Sequence, residues 1–153
     1  MRTRVTRAFT FDAAHQLPWH AGKCQRLHGH TYRLEVSVEG PLDEHGIVWD
    51  FADLNEMVRR EVLDRYDHRY LNDLLDNPTA ELLATQIWEQ LEAEMHKHQE
   101  KTGSSGHEAI GQEGCEDAWS EDEGRVGPGT AHPLRLTYLK LWETSDSAVE
   151  LWP

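Results

Sequence analysis

The stretch Cys24–Val36, CQRLHGHTYRLEV, sets a thiol and two histidines against the start of an alternating run. From His30 onward Tyr32, Leu34, Val36 and Val38 alternate with Thr31, Arg33, Glu35 and Ser37, the period of a half-buried strand. Residues two apart on a strand share a face, so His28 and His30 project to one side, separated by a glycine that adds no bulk. The triplet is open to three readings: packing, a pH-sensitive turn, or part of a metal site. The rest of the chain decides between them.

Upstream, Val5, Arg7, Phe9 and Phe11 alternate with Arg4, Thr6, Ala8 and Thr10, which predicts a first strand over residues 2–11 whose apolar face Arg7 interrupts. The segment between the two strands carries Pro18, Gly22 and Gly29 and reads as an irregular loop. Downstream, after a turn at DEHG (43–46), Asp53, Leu54, Met57, Val58, Val62 and Leu63 fall at helical spacing. A second helix is predicted over 80–98, with Leu82, Leu83, Ile87, Leu91 and Met95 as its stripe, Trp88 beside it and Thr79 as its cap. YDHRYLNDLLDNP (66–78) reads as loop. LRLTYLKLWE (134–143) is a closing strand, and AVELW (148–152) follows a turn at TSDS. The order ββααββ predicts an α+β fold: one domain over residues 1–153, an antiparallel sheet with two helices on one face.

The 15 basic residues against 28 acidic give a formal charge of −13, which disfavours nucleic acid and anionic membrane as partners. Lys23, Arg26 and Arg33 can still hold a small anion, because near neighbours set a site and screening removes distant charge. No apolar run is long enough to span a membrane and the N-terminus alternates, so a soluble cytoplasmic protein is expected. Cys24 and Cys115 form no paired metal or redox spacing and read as free thiols. Residues 99–133 hold seven of the eleven glycines and eight acidic residues against Lys101 and Arg125, a composition that predicts a flexible acidic insertion without chemistry. Cys115 lies inside it.

Ten histidines is a high count for this length, so some are expected to have a task. Two imidazoles on one face suit zinc, which asks for a third ligand from elsewhere; His15 is the candidate if the first two strands pair. Three imidazoles with an open fourth position make a Lewis acid. Cys24 either closes that position as a ligand or stands beside it as a base or nucleophile. Asp67 beside His68 is a carboxylate that can fix an imidazole tautomer, or simply a turn. Glu143, taken alone, reads as a solvated surface carboxylate.

The motifs FTFDAAHQLPW (9–19), CQRLHGHTY (24–32), GIVWDFADL (46–54), YDHRYLN (66–72), NPTAELLA (77–84) and WETSDS (142–147) resemble, in order and spacing, the 6-pyruvoyl-tetrahydropterin and 6-carboxytetrahydropterin synthase family. The resemblance covers about residues 4–98 and 134–152. It implies a tunnelling fold, in which the sheets of several subunits join into a barrel with helices outside, as a homohexamer of two trimers with sites between subunits. It implies that His15, His28 and His30 bind Zn2+, that Cys24 is the general base or acid, and that Asp67 with His68 completes a proton relay. Glu143 would anchor the pterin's amino and ring nitrogens, and Thr79 would lie near the pterin pocket. The implied reaction is that of a lyase: 7,8-dihydroneopterin triphosphate becomes 6-carboxytetrahydropterin with loss of acetaldehyde and triphosphate, on the way to queuosine. FDAAHQLPW and CQRLHGH look closer to this carboxy-forming branch than to the pyruvoyl-forming one, which uses the same ligands and thiol. The long connection at 99–133 departs from the family's usual short one.

Two further classes compete: a non-catalytic zinc or pterin scaffold, which loss of Cys24 or the Asp67–His68 pair would have suggested, and an interaction module acting through the acidic insertion.

Overall fold

The computed structural model describes residues 2–103 and 133–153. Strand β1 (Thr3–His15) pairs antiparallel with β2 (His28–Gly40) over their full lengths, from Thr3 opposite Gly40 to His15 opposite His28. The first strand is therefore longer than predicted. His15 is its last residue rather than a loop residue just beyond it, and the buried phase set by Phe9, Phe11 and Ala13 carries straight on to His15. Strand β4 (Arg135–Trp142) pairs with β2, with a register shift at Ser37/Val38, and β5 (Ala148–Leu151) pairs with β4.

Helix α1 (Phe51–Val58) starts at Asp50, whose carboxylate accepts from the Ala52 N–H at 2.6 Å. It continues through a wide π turn at Arg59–Leu63 into the single turn α2 (Asp64–Tyr66). The segment read as loop between the helices holds more order than that. Strand β3 (Arg69–Tyr70) runs parallel to β1 at Ala13–Ala14, so the sheet order is β3-β1-β2-β4-β5 and one short pairing departs from the antiparallel pattern. Helix α3 (Ala80–Gly103) begins at Thr79, whose hydroxyl accepts from the Leu82 N–H at 3.3 Å. It extends into the start of the predicted insertion. The rest of that insertion, with Cys115, lies outside the described residues.

The core is the sheet face carrying Phe9, Phe11, Tyr32, Leu34, Val36, Leu139 and Leu141. It is covered by Leu54, Met57 and Val58 of α1, Val62 and Tyr66 beyond it, and Leu83, Ile87, Leu91 and Met95 of α3. Both helices thus lie on one face, as predicted, because only that face is continuously apolar. Leu82, assigned to the buried stripe, is exposed, since it sits in the first turn and points away from Leu83. Arg7 does not break the inner face: its guanidinium donates to Asn55 Oδ1 at 3.2 Å and lies about 6 Å from the Phe9 and Phe51 rings. Among the described residues no helix is long and apolar enough to cross a membrane.

Candidate metal centre and pterin pocket

The alternation that builds the core also builds the site. On β2 the inward phase runs Val36, Leu34, Tyr32, His30, His28, and on β1 it runs Phe9, Phe11, Ala13, His15. Pairing of His15 with His28 and of Ala13 with His30 brings three imidazoles together at one end of the core. One nitrogen from each lies within 4.8 Å of the others, so the three residues predicted from spacing and strand pairing do form a metal-sized group.

Two backbone carbonyls fix how those rings face. His15 Nδ1 is 2.7 Å from the Pro78 oxygen and His28 Nδ1 is 2.6 Å from the Arg26 oxygen. A carbonyl only accepts, so each Nδ1 carries the proton and each Nε2 is left with its lone pair. Those Nε2 atoms face one another at 3.1 Å. Two lone pairs at that distance repel unless a cation lies between them. Among the described residues, buried His30 Nε2 has no hydrogen-bond partner either. The group therefore fits a soft divalent ion such as zinc, with the outer nitrogens held as metal-binding imidazoles usually are. Burial lowers the His30 pKa; the Glu143 charge opposes this, and His15 and His28 add to it.

Glu143 is not the solvated carboxylate its sequence neighbourhood suggests. The β2–β4 register places Leu34 opposite Leu141 and Arg33 opposite Trp142, so Glu143 continues the inward phase beyond Leu141, beside Tyr32. Its Oε1 is 3.5 Å from His15 Nε2 and 3.9 Å from His30 Nε2. Tyr32 is fully buried, stacks on Phe11 with centroids 5.0 Å apart and meets His30 edge-on. Among the described residues its hydroxyl has no partner, and burial together with Glu143 raises its pKa.

Cys24 lies in the short 3-10 turn Lys23–Gln25, and its carbonyl accepts from the Leu17 N–H at 2.8 Å, folding the loop back over the end of β1. The half-buried thiol is outside the three-histidine group. A cavity of about 310 Å³ is lined by Cys24, His15, Trp19, His20, Thr79, Glu143 and neighbours, which brings the predicted thiol, the predicted anchor and Thr79 together beside one of the three clustered histidines.

The Asp67–His68 pair stands elsewhere. His68 Nδ1 is 2.9 Å from Asp67 Oδ1, and the same carboxylate accepts the Asp12 N–H at 2.8 Å. That backbone bond, then the contact with His68, holds the Asp67 carboxyl below the usual carboxylate range. His68 takes a left-handed backbone, φ 57°, with its N–H on the Asp12 carbonyl at 2.6 Å. This conformation is uncommon outside glycine and tends to mark functional sites. His68, Asp12, His30 and Thr31 line a second cavity of about 530 Å³, which shares no lining residue with the first. Among the described residues, then, neither of these two cavities is lined by both Cys24 and the Asp67–His68 pair. Sequence reasoning missed Asp12, Tyr32 and the Pro78 and Arg26 carbonyls; only Tyr32, in phase with the histidines, left a readable signal.

A five-stranded sheet backed by helices, with a trio of imidazoles at its end, defines an α+β protein of the tunnelling-fold class with a donor set for one metal ion. Residues 4–105 match the family model for 6-pyruvoyl tetrahydropterin synthase, and the chain belongs to that family. The 6-carboxy-5,6,7,8-tetrahydropterin synthase of Haemophilus influenzae is 45% identical over 74 residues, 46% of this chain; the chain spans about half that relative's length, 52%. The enzyme of the same name from Synechocystis is 43% identical over 95 residues, covering 58% of this chain and 74% of its own. A dihydroneopterin monophosphate aldolase from Pyrococcus furiosus is 42% identical over 91 residues, covering 60% and 76%. The fold is shared with the Caenorhabditis elegans 6-pyruvoyl tetrahydropterin synthase, at a TM-score of 0.68 and 22% identity over 100% of this chain and 96% of that one.

Proposed function

We propose that the protein is a cytoplasmic zinc-dependent lyase. It converts 7,8-dihydroneopterin triphosphate to 6-carboxy-5,6,7,8-tetrahydropterin, releasing acetaldehyde and triphosphate, in 7-deazaguanine (queuosine) biosynthesis. The observation that carries this reading is a group of three imidazoles, one of which, His15, lines a cavity together with the Cys24 thiol and the Glu143 carboxylate. Relatives that bear the carboxy-synthase name support the choice of product.

His15, His28 and His30 would hold the zinc, which when bound acidifies side-chain hydroxyls of the substrate. Glu143 accepts two N–H donors from the guanidine-like edge of the pterin, a charge-assisted and geometrically selective contact. Thr79, at the start of α3, borders the ring's cavity. Cys24 takes or returns a proton at a side-chain carbon. His68, oriented by Asp67, moves the proton at oxygen, and general acid–base groups of this kind contribute about 10²–10⁴-fold each.

Because Cys24 and His68 line separate cavities, assembly is part of the proposal. Among the described residues the outer edge of β1 from Thr3 to Asp12 and the outer edge of β5 pair with no strand. Edge strands of this kind pair with other chains. Joining them around a barrel, as a homohexamer of two trimers, would set the thiol of one subunit near the Asp67–His68 pair of the next.

The test is incubation of the zinc-loaded protein with 7,8-dihydroneopterin triphosphate, with pterins and acetaldehyde measured together. Acetaldehyde in step with a 6-carboxypterin supports the proposal. A pyruvoyl pterin without acetaldehyde assigns the runner-up activity. The Pyrococcus relative makes aldol cleavage of dihydroneopterin monophosphate a second reading, so that substrate is assayed in parallel.

A further inference from the structure

We infer that Glu143 closes the histidine site in the resting protein, its carboxylate serving as the fourth metal ligand until the pterin ring draws it away; the inference rests on the zinc reading above. Four ligands at 2.0–2.1 Å in a tetrahedron stand roughly 3.3–3.4 Å apart. His15 and His28 Nε2 are 3.1 Å apart, and Glu143 Oε1 is 3.5 Å from His15 Nε2 and 3.9 Å from His30 Nε2. The carboxylate is thus close to ligand-to-ligand distance from His15 Nε2 and about half an ångström beyond it from His30 Nε2. The set already in mutual reach is the three histidines, so a small rotation of the Glu143 side chain separates an open site from a closed one.

Other features fit a carboxylate that moves on a fixed backbone. The Glu143 N–H donates to the Ser147 carbonyl at 3.0 Å, which pins the main chain at the end of β4. Among the described residues no hydrogen bond holds the carboxylate elsewhere, and its side chain is 26% exposed toward the cavity that Cys24 and Thr79 line. At the end of the apolar row Val36, Leu34, Tyr32 and Leu139, Leu141, a carboxylate is best compensated by a cation held at the neighbouring imidazoles. A pterin offers two N–H donors instead. Ring recognition would then open the position that the side-chain hydroxyls need, so a polyol without a pterin ring meets a closed site.

The experiment uses the full chain loaded with Co2+, which absorbs in the visible, and azide as a small anion that enters an open coordination position. Wild type is expected to give no azide-dependent band at millimolar azide, whereas Glu143→Ala and Glu143→Gln bind it, with affinity higher by about tenfold or more. A pterin bearing no side-chain hydroxyls is expected to make wild type azide-sensitive and to leave both variants unchanged. Equal azide binding by wild type and variants overturns the inference while the zinc reading stands, as does a wild type that stays closed with pterin bound. A chain that takes up neither Co2+ nor zinc overturns both.

Discussion

Replacing His15 or His28 by alanine removes one imidazole from the same group, yet the two changes should differ in the metal-free protein. His15 is 1% exposed and its Nδ1–H serves the Pro78 carbonyl beside the start of α3. Its loss leaves that carbonyl buried without a donor, costing about 1–3 kcal/mol, and adds a cavity the size of the ring. A total of about 2–4 kcal/mol corresponds to a fall of roughly 5–15 °C in Tm for a chain of this size. His28 is only partly buried, and the Arg26 carbonyl it serves can turn to water, so His28→Ala should cost less than about 1 kcal/mol. Loss of either ring relieves the lone-pair contact at 3.1 Å, so that contact does not separate the two variants. With zinc at about a hundredfold excess over Kd, wild type should gain about 2.7 kcal/mol, and both variants should lose that gain. Thermal unfolding with chelator and with zinc reads all of these quantities. The reasoning fails if metal-free His15→Ala melts within a degree or so of wild type, if His28→Ala falls as far, or if either variant keeps the zinc-dependent rise.

His30 gives the metal-free protein a pH dependence: burial holds its folded pKa below 6.5, so the unfolded chain takes up the proton first. The contribution is present above about pH 6.5 and lost as pH falls toward the lowered folded value; urea unfolding at several pH values should show it, and His30→Gln should flatten it. His68→Gly should leave stability within about 1 kcal/mol, since glycine accepts φ 57° freely while adding unfolded-state entropy, but should cut turnover about 10²–10⁴-fold, as denaturant titration and a steady-state assay would show. Cys24→Ala should lose turnover on the same scale yet keep its zinc content by elemental analysis, because the thiol is outside the donor set; zinc lost in the variant would make it a ligand instead.

Period-two alternation made β1, β2 and β4 legible, and with them the histidines, because one inward phase dictates both core and site. The sequence pattern failed where phase was misjudged or where backbone acts. Two alanines weaken the apolar signal at Ala13–Ala14, so the alternation predicts a strand that stops short of His15. A charge after a strand usually faces solvent; carrying the β2–β4 register one step past Arg33–Trp142 turns Glu143 inward, toward Tyr32. The Pro78 and Arg26 carbonyls that fix the imidazole tautomers have no side-chain signature. Asp67 and His68 were legible as a pair, but their separation from Cys24 is a property of the fold. Those roles came from a resemblance of motifs, while the residues alone left a turn, a solvated acid and a thiol of open purpose.

If a metal held by His15, His28 and His30 is needed for the proposed lyase reaction, product formation should follow graded zinc loading. Samples carrying from none to one zinc per chain, measured by elemental analysis, are assayed for acetaldehyde released from 7,8-dihydroneopterin triphosphate. The rate is expected to rise in proportion to zinc, reach its limit at one ion per chain, and be absent when all three histidines are replaced. Acetaldehyde from the zinc-free chain, or from the triple variant, would contradict that expectation.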